Sequence, residues 1–223
     1  MQKIVILGCG GFGRDVLDVV LAEGIYEVVG WIVDPKYASI GTIINEHLIL
    51  GGFDWLEGKR DKVKAISAGG SSELRRSFAK SCSKYGISFA TTIHPSASIS
   101  RWATIGEGVI ISEYCTVRCQ GSIGNFCAMN INSVIGHDGV MEDYSTLAMG
   151  VKVTGNCIIK EGAYIGSGVT FVGAKTVGRW THVGAGTVVT MDVPDNATVV
   201  GVPSKVVKMR EEGWYESFTD TTS

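Results

Sequence analysis

Proline and histidine are scarce in this chain, at 4 each in 223 residues. So few prolines beside 30 glycines argue against a disordered, low-complexity polypeptide. No unbroken apolar run approaches the roughly 18 residues a membrane-spanning helix needs, so no membrane partner is expected. Met1-Gln2-Lys3 leads straight into Ile4-Val5-Ile6-Leu7, too short for a secretory apolar core, and a cytoplasmic protein is the expectation. Long runs of Lys and Arg are missing and the net charge is −2, so the usual footprint of a nucleic-acid partner is absent. The six cysteines (9, 82, 115, 119, 127 and 157) form no C-x-x-C pair, so no metal site is expected. With 45% hydrophobic and 19% charged residues, the length allows a sizeable core in one or two domains.

What the second half does contain is a repeat. Stepping by six from Ile93 gives Ile99, Ile105, Ile111, Val117 and so on to Val189, seventeen positions that all hold a sizeable apolar residue. Four places after each apolar residue stands a smaller one, as in Ala97, Ala103, Val109 and Cys115; Lys175 breaks the series and Thr181 and Thr187 resume it. A period of six fits neither an amphipathic helix nor an alternating strand. It predicts short extended segments joined by tight corners, three to a triangular coil, with the large residue inside and the small one at the turn. Cys115, Cys127 and Cys157 occupy the small slot and read as buried packing residues. Stacked coils pair each other's backbone groups, and no coil buries its interior alone, hence the long array. Glycines directly after the apolar position, as in Ile105-Gly106 and Ile135-Gly136, are expected to adopt conformations costly for other residues.

Residues 1–90 follow different rules. Lys3–Leu7 reads as a buried strand, Val16, Leu17, Val19 and Val20 as the apolar face of a helix, and Gly24 as its stop. Further strands are predicted over 28–33 and 63–68, then a polar helix over about 72–85 with Leu74, Phe78 and Ala79 inward. Strand, helix, strand implies a small parallel sheet with its ligand at the carboxyl ends of the strands. Gly8-x-Gly10-x-x-Gly13, with Asp34 some twenty residues on, matches the dinucleotide fingerprint. The domain is nonetheless too short for the two halves a dinucleotide straddles. A docked nucleotide-sugar is the better reading, and a loop that only makes a tight strand-to-helix turn is the alternative.

The repeat resembles that of the hexapeptide-repeat acyltransferases, and its pairing with a glycine-loop domain is similar to their sugar acetyltransferases. These include sialic acid O-acetyltransferases and N-acetyltransferases of UDP-linked 4-amino-sugars, and the likeness covers about residues 2–208. The resemblance implies a small Rossmann-like α/β domain over 1–90, then a left-handed parallel β-helix over 91–223 with a short C-terminal helix. It also implies a homotrimer with active sites between subunits, acetyl-CoA as co-substrate, a nucleotide-linked sugar as acceptor, and no metal. By the same resemblance, Gly8, Gly10, Gly11, Gly13, Asp34, Gly69 and Gly70 hold the sugar nucleotide. Phe12 stands where the family often has His, and Pro35 where a second acidic residue is common.

Acetyl transfer from a thioester needs a base and donors for the developing oxyanion. Among the four histidines, His47 reads as a surface loop residue, His94 as structural or exposed, and His182 as solvent-facing or capping. His137, in Ile135-Gly136-His137-Asp138, lies just outside the apolar ladder at a corner, and the resemblance makes it the general base. Asp138 is its candidate partner if a corner overrides the opposite facing of neighbours in an extended segment, with Asp143 as a substitute. By the resemblance, Asn130 matches a polar residue near the family's reacting centre, where it contacts acceptor or base, or else it stacks in an asparagine ladder. The resemblance further implies that Gly155 N–H faces the thioester oxygen and that Ser167, Gly173 and Ala174 line the pantetheine groove. Lys205, Lys208 and Arg210 are placed to meet the CoA phosphates, or lie on a solvated basic helix. The rival readings are sugar O-acetylation, acetylation of serine or another small molecule, a non-catalytic sugar-nucleotide binder, and a β-helical carbonic anhydrase. The last would need three converging histidines.

Overall fold

The computed structural model describes residues 1–217. β1 (Gln2–Leu7) is apolar on both faces and takes the interior of a five-stranded sheet. It pairs in parallel with β2 (Tyr26–Ile32) on one side and β5 (Lys64–Ser67) on the other. β4 (His47–Gly51) extends the sheet in parallel beyond β2, and β3 (Ile43–Ile44) closes that edge antiparallel. Alternation along β1 divides the packing. Ile4 and Ile6 meet Val16, Leu17 and Val20 of α1 (Gly11–Glu23), whereas Val5 and Leu7 meet Phe78 and Cys82 of α2 (Ser72–Ser83). Helix α1 stops at Gly24, left-handed at φ 70°, whose N–H donates to Val20 O.

One local expectation fails. β4 begins at His47, which reads from sequence as loop, because Leu48-Ile49-Leu50 is too short a run to announce a strand. Helix α2 packs Leu74, Phe78 and Ala79 against the core as expected, and also buries Ser72, Glu73, Arg75 and Cys82. Its polar face is buried because the second half of the chain, rather than solvent, lies against it.

That second half is a parallel β-helix in which each residue pairs with the one eighteen positions on, as Thr116 with Val134 and Val134 with Lys152. Two-residue strands stack into three faces. The first runs from Thr92–Ile93 to His182–Val183, the second from Ser98–Ile99 to Val188–Val189, the third from Thr104–Ile105 to Thr176–Val177. The ladder residues from Ile111 to Val189 form one continuous core, with Ile93, Ile99 and Ile105 of the open first coil only partly covered. The small-slot residues, Cys115, Cys127 and Cys157 included, are buried in the same core, and burial pushes the Cys127 thiol up to about 11.

The corners correct the expectation about glycine. Gly106, Gly124, Gly136 and Gly178 do not have positive φ; a Cβ on any of them would strike the backbone of the next coil. From Ile105 to Val183, positive φ falls instead three places after the ladder residue, and mostly on residues with side chains: Tyr114, Gln120, Phe126, Asn132, Asp138, Tyr144, Asn156 and Trp180. Within that stretch the pattern slips once, to Gly173, in the coil that Lys175 interrupts.

The C-terminal end also differs from expectation. Lys205–Met209 is a strand, not a helix, and pairs antiparallel with Ala197–Val200 on the first face. The short C-terminal helix is a single 3-10 turn at Trp214–Ser217. Tyr215 of this turn stacks on Trp180 at 3.9 Å between ring centroids, and Arg76 of α2 lies over both rings.

Candidate active site

The glycine loop forms the wall of a cavity of about 640 Å³ at the carboxyl ends of β1, β2 and β5. Each glycine has its own reason. A Cβ on Gly13 would collide with the Gly8 carbonyl, so Gly13 lets α1 press against the end of β1. Gly10 and Gly11 face open space, and Gly10 caps α1 with no side-chain acceptor, leaving the helix start available to a phosphate. Asp34 lines the same cavity, its carboxylate taking the Lys36 N–H at 3.0 Å and lying 3.4 Å from Lys36 Nζ. Tyr37, Phe53 and Phe78 supply apolar walls, and only the folded sheet could have revealed them. Of the two glycines after β5, Gly70 is exposed and lines the cavity. Gly69 is buried, packed against Leu74 and Arg75, and does not line it.

A second cavity of about 310 Å³ shares Gly11, Phe12 and Gly70 with the first and opens against the first face of the β-helix. Asn130, Thr146, Met149 and Tyr164 form its far wall. Asn130 Oδ1 accepts the Ile131 N–H at 2.7 Å. Asp15 completes the rim; burial pushes its carboxyl above the ordinary value, and the nearby Asp18 and Glu113 add to the shift while Arg14 opposes it. Phe12 thus forms a shared wall of the two cavities.

His137 stands elsewhere, at the corner between the second and third faces, which is the corner opposite the first face. Its Nδ1 is 2.8 Å from Asp138 Oδ2. The left-handed backbone of Asp138, φ 55°, turns its side chain back onto its neighbour, which is how adjacent residues meet here. A carboxylate at Nδ1 holds the proton on that nitrogen and leaves the Nε2 lone pair free. The ring is 63% exposed and lies against Gly155 one coil on, where any Cβ would overlap it. Among the described residues, the Gly155 N–H meets no hydrogen-bond acceptor. Asp143 occupies a different corner and accepts both Asn125 N, at 2.7 Å, and Asn125 Nδ2, so it does not substitute for Asp138.

Gly173 and Ala174 continue the His137–Gly155 corner, in the coil where the regular turn is lost, and both are exposed. Ser167 lies at another corner, between the first and second faces, below Ala185 and above Met149. Lys205 and Lys208 are exposed on the terminal strand. Arg210 is instead occupied, over the Trp214 ring at 4.4 Å and 3.3 Å from His182 Nδ1. Of the two expectations for His182, solvent or a capping contact, the contact holds: its Nε2 lies 3.2 Å from Glu73 Oε1 of α2. His94 contacts Ser96, and the described residues hold no cluster able to ligate a metal. Within one chain, the described residues do not bring together the three histidines that the carbonic anhydrase reading needs.

The matching family model is the PglD N-terminal domain, over residues 3–82. GDP-perosamine N-acetyltransferase of Escherichia coli O157:H7 is 30% identical over 219 residues, spanning 93% of this chain and 97% of that protein. The chain belongs to the hexapeptide-repeat sugar acetyltransferase family. Its β-helix is left-handed, as in the other acetyltransferases of that family. The acetyltransferase domain of PglB from Neisseria gonorrhoeae, in complex with acetyl coenzyme A, superposes with a TM-score of 0.86 at 27% identity. That match covers 92% of this chain and 99% of that one. A histidine-to-asparagine variant of perosamine N-acetyltransferase from Caulobacter crescentus, in complex with CoA and GDP-perosamine, superposes at 0.87 with 27% identity. It covers 93% of this chain and 98% of its own. This family member is an acetyltransferase with acetyl-CoA as co-substrate.

Proposed function

We propose that the protein transfers the acetyl group of acetyl-CoA to the amino group of a nucleotide-linked amino-sugar. The reading is carried by two joined cavities, one at a glycine loop and helix start suited to a nucleotide's phosphates, the other on a polar patch of the β-helix. The relatives' named substrates, GDP-perosamine and acetyl coenzyme A, support the same pair of ligands. The glycine loop, Asp34 and Gly70 hold the nucleotide, and Gly69 acts by packing behind them.

In the proposed transfer, the sugar amine attacks the thioester carbon while His137 Nε2 accepts its proton. Asp138 steadies the resulting imidazolium, and Gly155 N–H donates to the oxyanion. Collapse of the tetrahedral intermediate expels the CoA sulfur, which takes the proton from His137 and leaves as the thiol. Asn130 contacts the acceptor in the smaller cavity. The CoA arm runs along Gly155, Gly173 and Ala174 on one subunit and Ser167 on its neighbour, with Lys205 and Lys208 meeting phosphates.

No single chain assembles this constellation, because its own His137 stands at the corner opposite its own cavities. A homotrimer with the second face toward the threefold axis brings one subunit's cavity, beside Met149, to the His137 corner of the next. The test is turnover of acetyl-CoA against a panel of nucleotide-linked 4-amino-sugars, with mass analysis of the product. An amide product that survives hydroxylamine supports the proposal. A hydroxylamine-labile ester would establish O-acetylation, and binding without any turnover would establish a sugar-nucleotide binder.

A further inference from the structure

Arg75 is fully buried, although it belongs to a helix whose sequence reads as polar and solvated. Its guanidinium is satisfied on both sides of the boundary between the two halves of the chain. On the near side, Nη1 donates to Gly69 O at 3.0 Å, in the turn whose next residue lines both cavities. On the far side, Nε donates to Phe126 O at 2.8 Å, and Nη2 to Tyr144 O at 2.9 Å, Ser145 O at 3.3 Å and Thr146 Oγ1 at 2.6 Å. Phe126 and Tyr144 are left-handed corner residues, at φ 56° and 62°, and their rings stack. Thr146 also exchanges a hydrogen bond with Ser72 Oγ and forms part of the smaller cavity.

Burial pulls this guanidinium down to about 10, so it stays charged at neutral pH. All five of its acceptors are neutral oxygens. A buried charge hydrogen-bonded only to neutral oxygens is costly, eased here only by the nearby Glu73 carboxylate, and an apolar side chain of similar volume would often serve stability as well. What a planar fork supplies and an apolar side chain does not is fixed direction to several acceptors at once.

We propose that Arg75 is a positioning residue that fixes the glycine turn of the nucleotide cradle against the face of the β-helix on which the sugar is presented. The inference rests on the proposed function. Nucleotide held in the larger cavity is then delivered with its sugar at one depth on the Asn130–Tyr164 wall. The CoA groove lies on other corners and does not depend on Arg75.

The test compares the full-length protein with Arg75→Lys, which keeps charge but loses the fork, Arg75→Met, and Thr146→Val, which removes one acceptor. Steady-state kinetics use the amino-sugar nucleotide found in the panel, and calorimetry follows binding of GDP and UDP alone. For the Arg75 variants the expected result is a split: kcat/KM for the sugar nucleotide falls about 10- to 100-fold, in line with a misplacement near 1 Å. KM for acetyl-CoA and the affinity for the free nucleoside diphosphate stay within about twofold. Thr146→Val is expected to shift the same parameter in the same direction, by less. Unchanged kinetics in a folded Arg75→Lys overturn the inference, as do equal losses for both substrates or failure of all three variants to fold. No turnover by the unaltered chain would sink the proposed function itself, whereas turnover with unsplit kinetics would sink this inference alone.

Discussion

The role proposed for the His137 corner rests on two short-range effects, each open to a separate substitution. His137→Ala removes the proposed base and is expected to lower turnover about 10²–10⁴-fold while assembly persists, as steady-state rates and sedimentation would reveal. Gly155→Ala keeps the imidazole but places a methyl group where the ring now lies. An exposed side chain swings aside at little cost in stability, so the variant should melt near the parent temperature yet lose at least about tenfold in kcat. Equal kcat for the two proteins would show that the ring acts from another position. A further residue-level prediction concerns the pair that ties α2 to the β-helix. Burial alone would raise the Glu73 carboxyl, but hydrogen bonds from His182, its own backbone and Ser71 outweigh it and hold it below the ordinary range. A carboxyl depressed in the folded state stabilises fully above its unfolded value, near 4.3, and that contribution is lost as pH falls through the lowered folded value. Thermal melts of the parent and Glu73→Gln should therefore differ by a constant amount at neutral pH and converge in acid. Divergence on acidification would refute the assignment.

At the scale of elements, the β-helix is stabilised by repetition, and position along the stack decides what each side chain is worth. Leu147 sits mid-stack with coils on both sides and is fully buried, whereas Ile99 belongs to the open first coil and is only partly covered. Leu147→Ala should cost about 2–5 kcal/mol in denaturant unfolding and Ile99→Ala clearly less. Equal costs would mean that the first coil is covered in solution. The period of six was legible because it needs only a count along the chain. The left-handed corners were not, since Tyr114, Phe126 and Trp180 carry no outward sign of positive φ; the stack imposes it. Lys175 did mark the irregular coil in advance, and that coil adjoins Gly155 at the corner assigned to the CoA arm.

The proposed division of labour between subunits is tested on the whole molecule. If cavity and base come from different chains, His137→Ala and Gly13→Val should each be inactive alone, yet regain activity when co-expressed. Random mixing puts an intact loop beside an intact histidine at about a quarter of the sites in a cyclic trimer. No recovery in isolated mixed oligomers would place both halves of the site in one chain. Sequence alone determined the ladder of coils, the glycine loop and the corner histidine, because each is written in neighbouring residues at short, regular spacing. Tertiary structure alone decided that a polar helix hides Arg75 and Glu73, that Asp143 is turned away from His137, and that Tyr164 and Met149 wall a cavity beside Phe12. Those outcomes depend on how the two halves of the chain meet, where residues far apart in sequence become neighbours and exchange the hydrogen bonds that buried polar groups require.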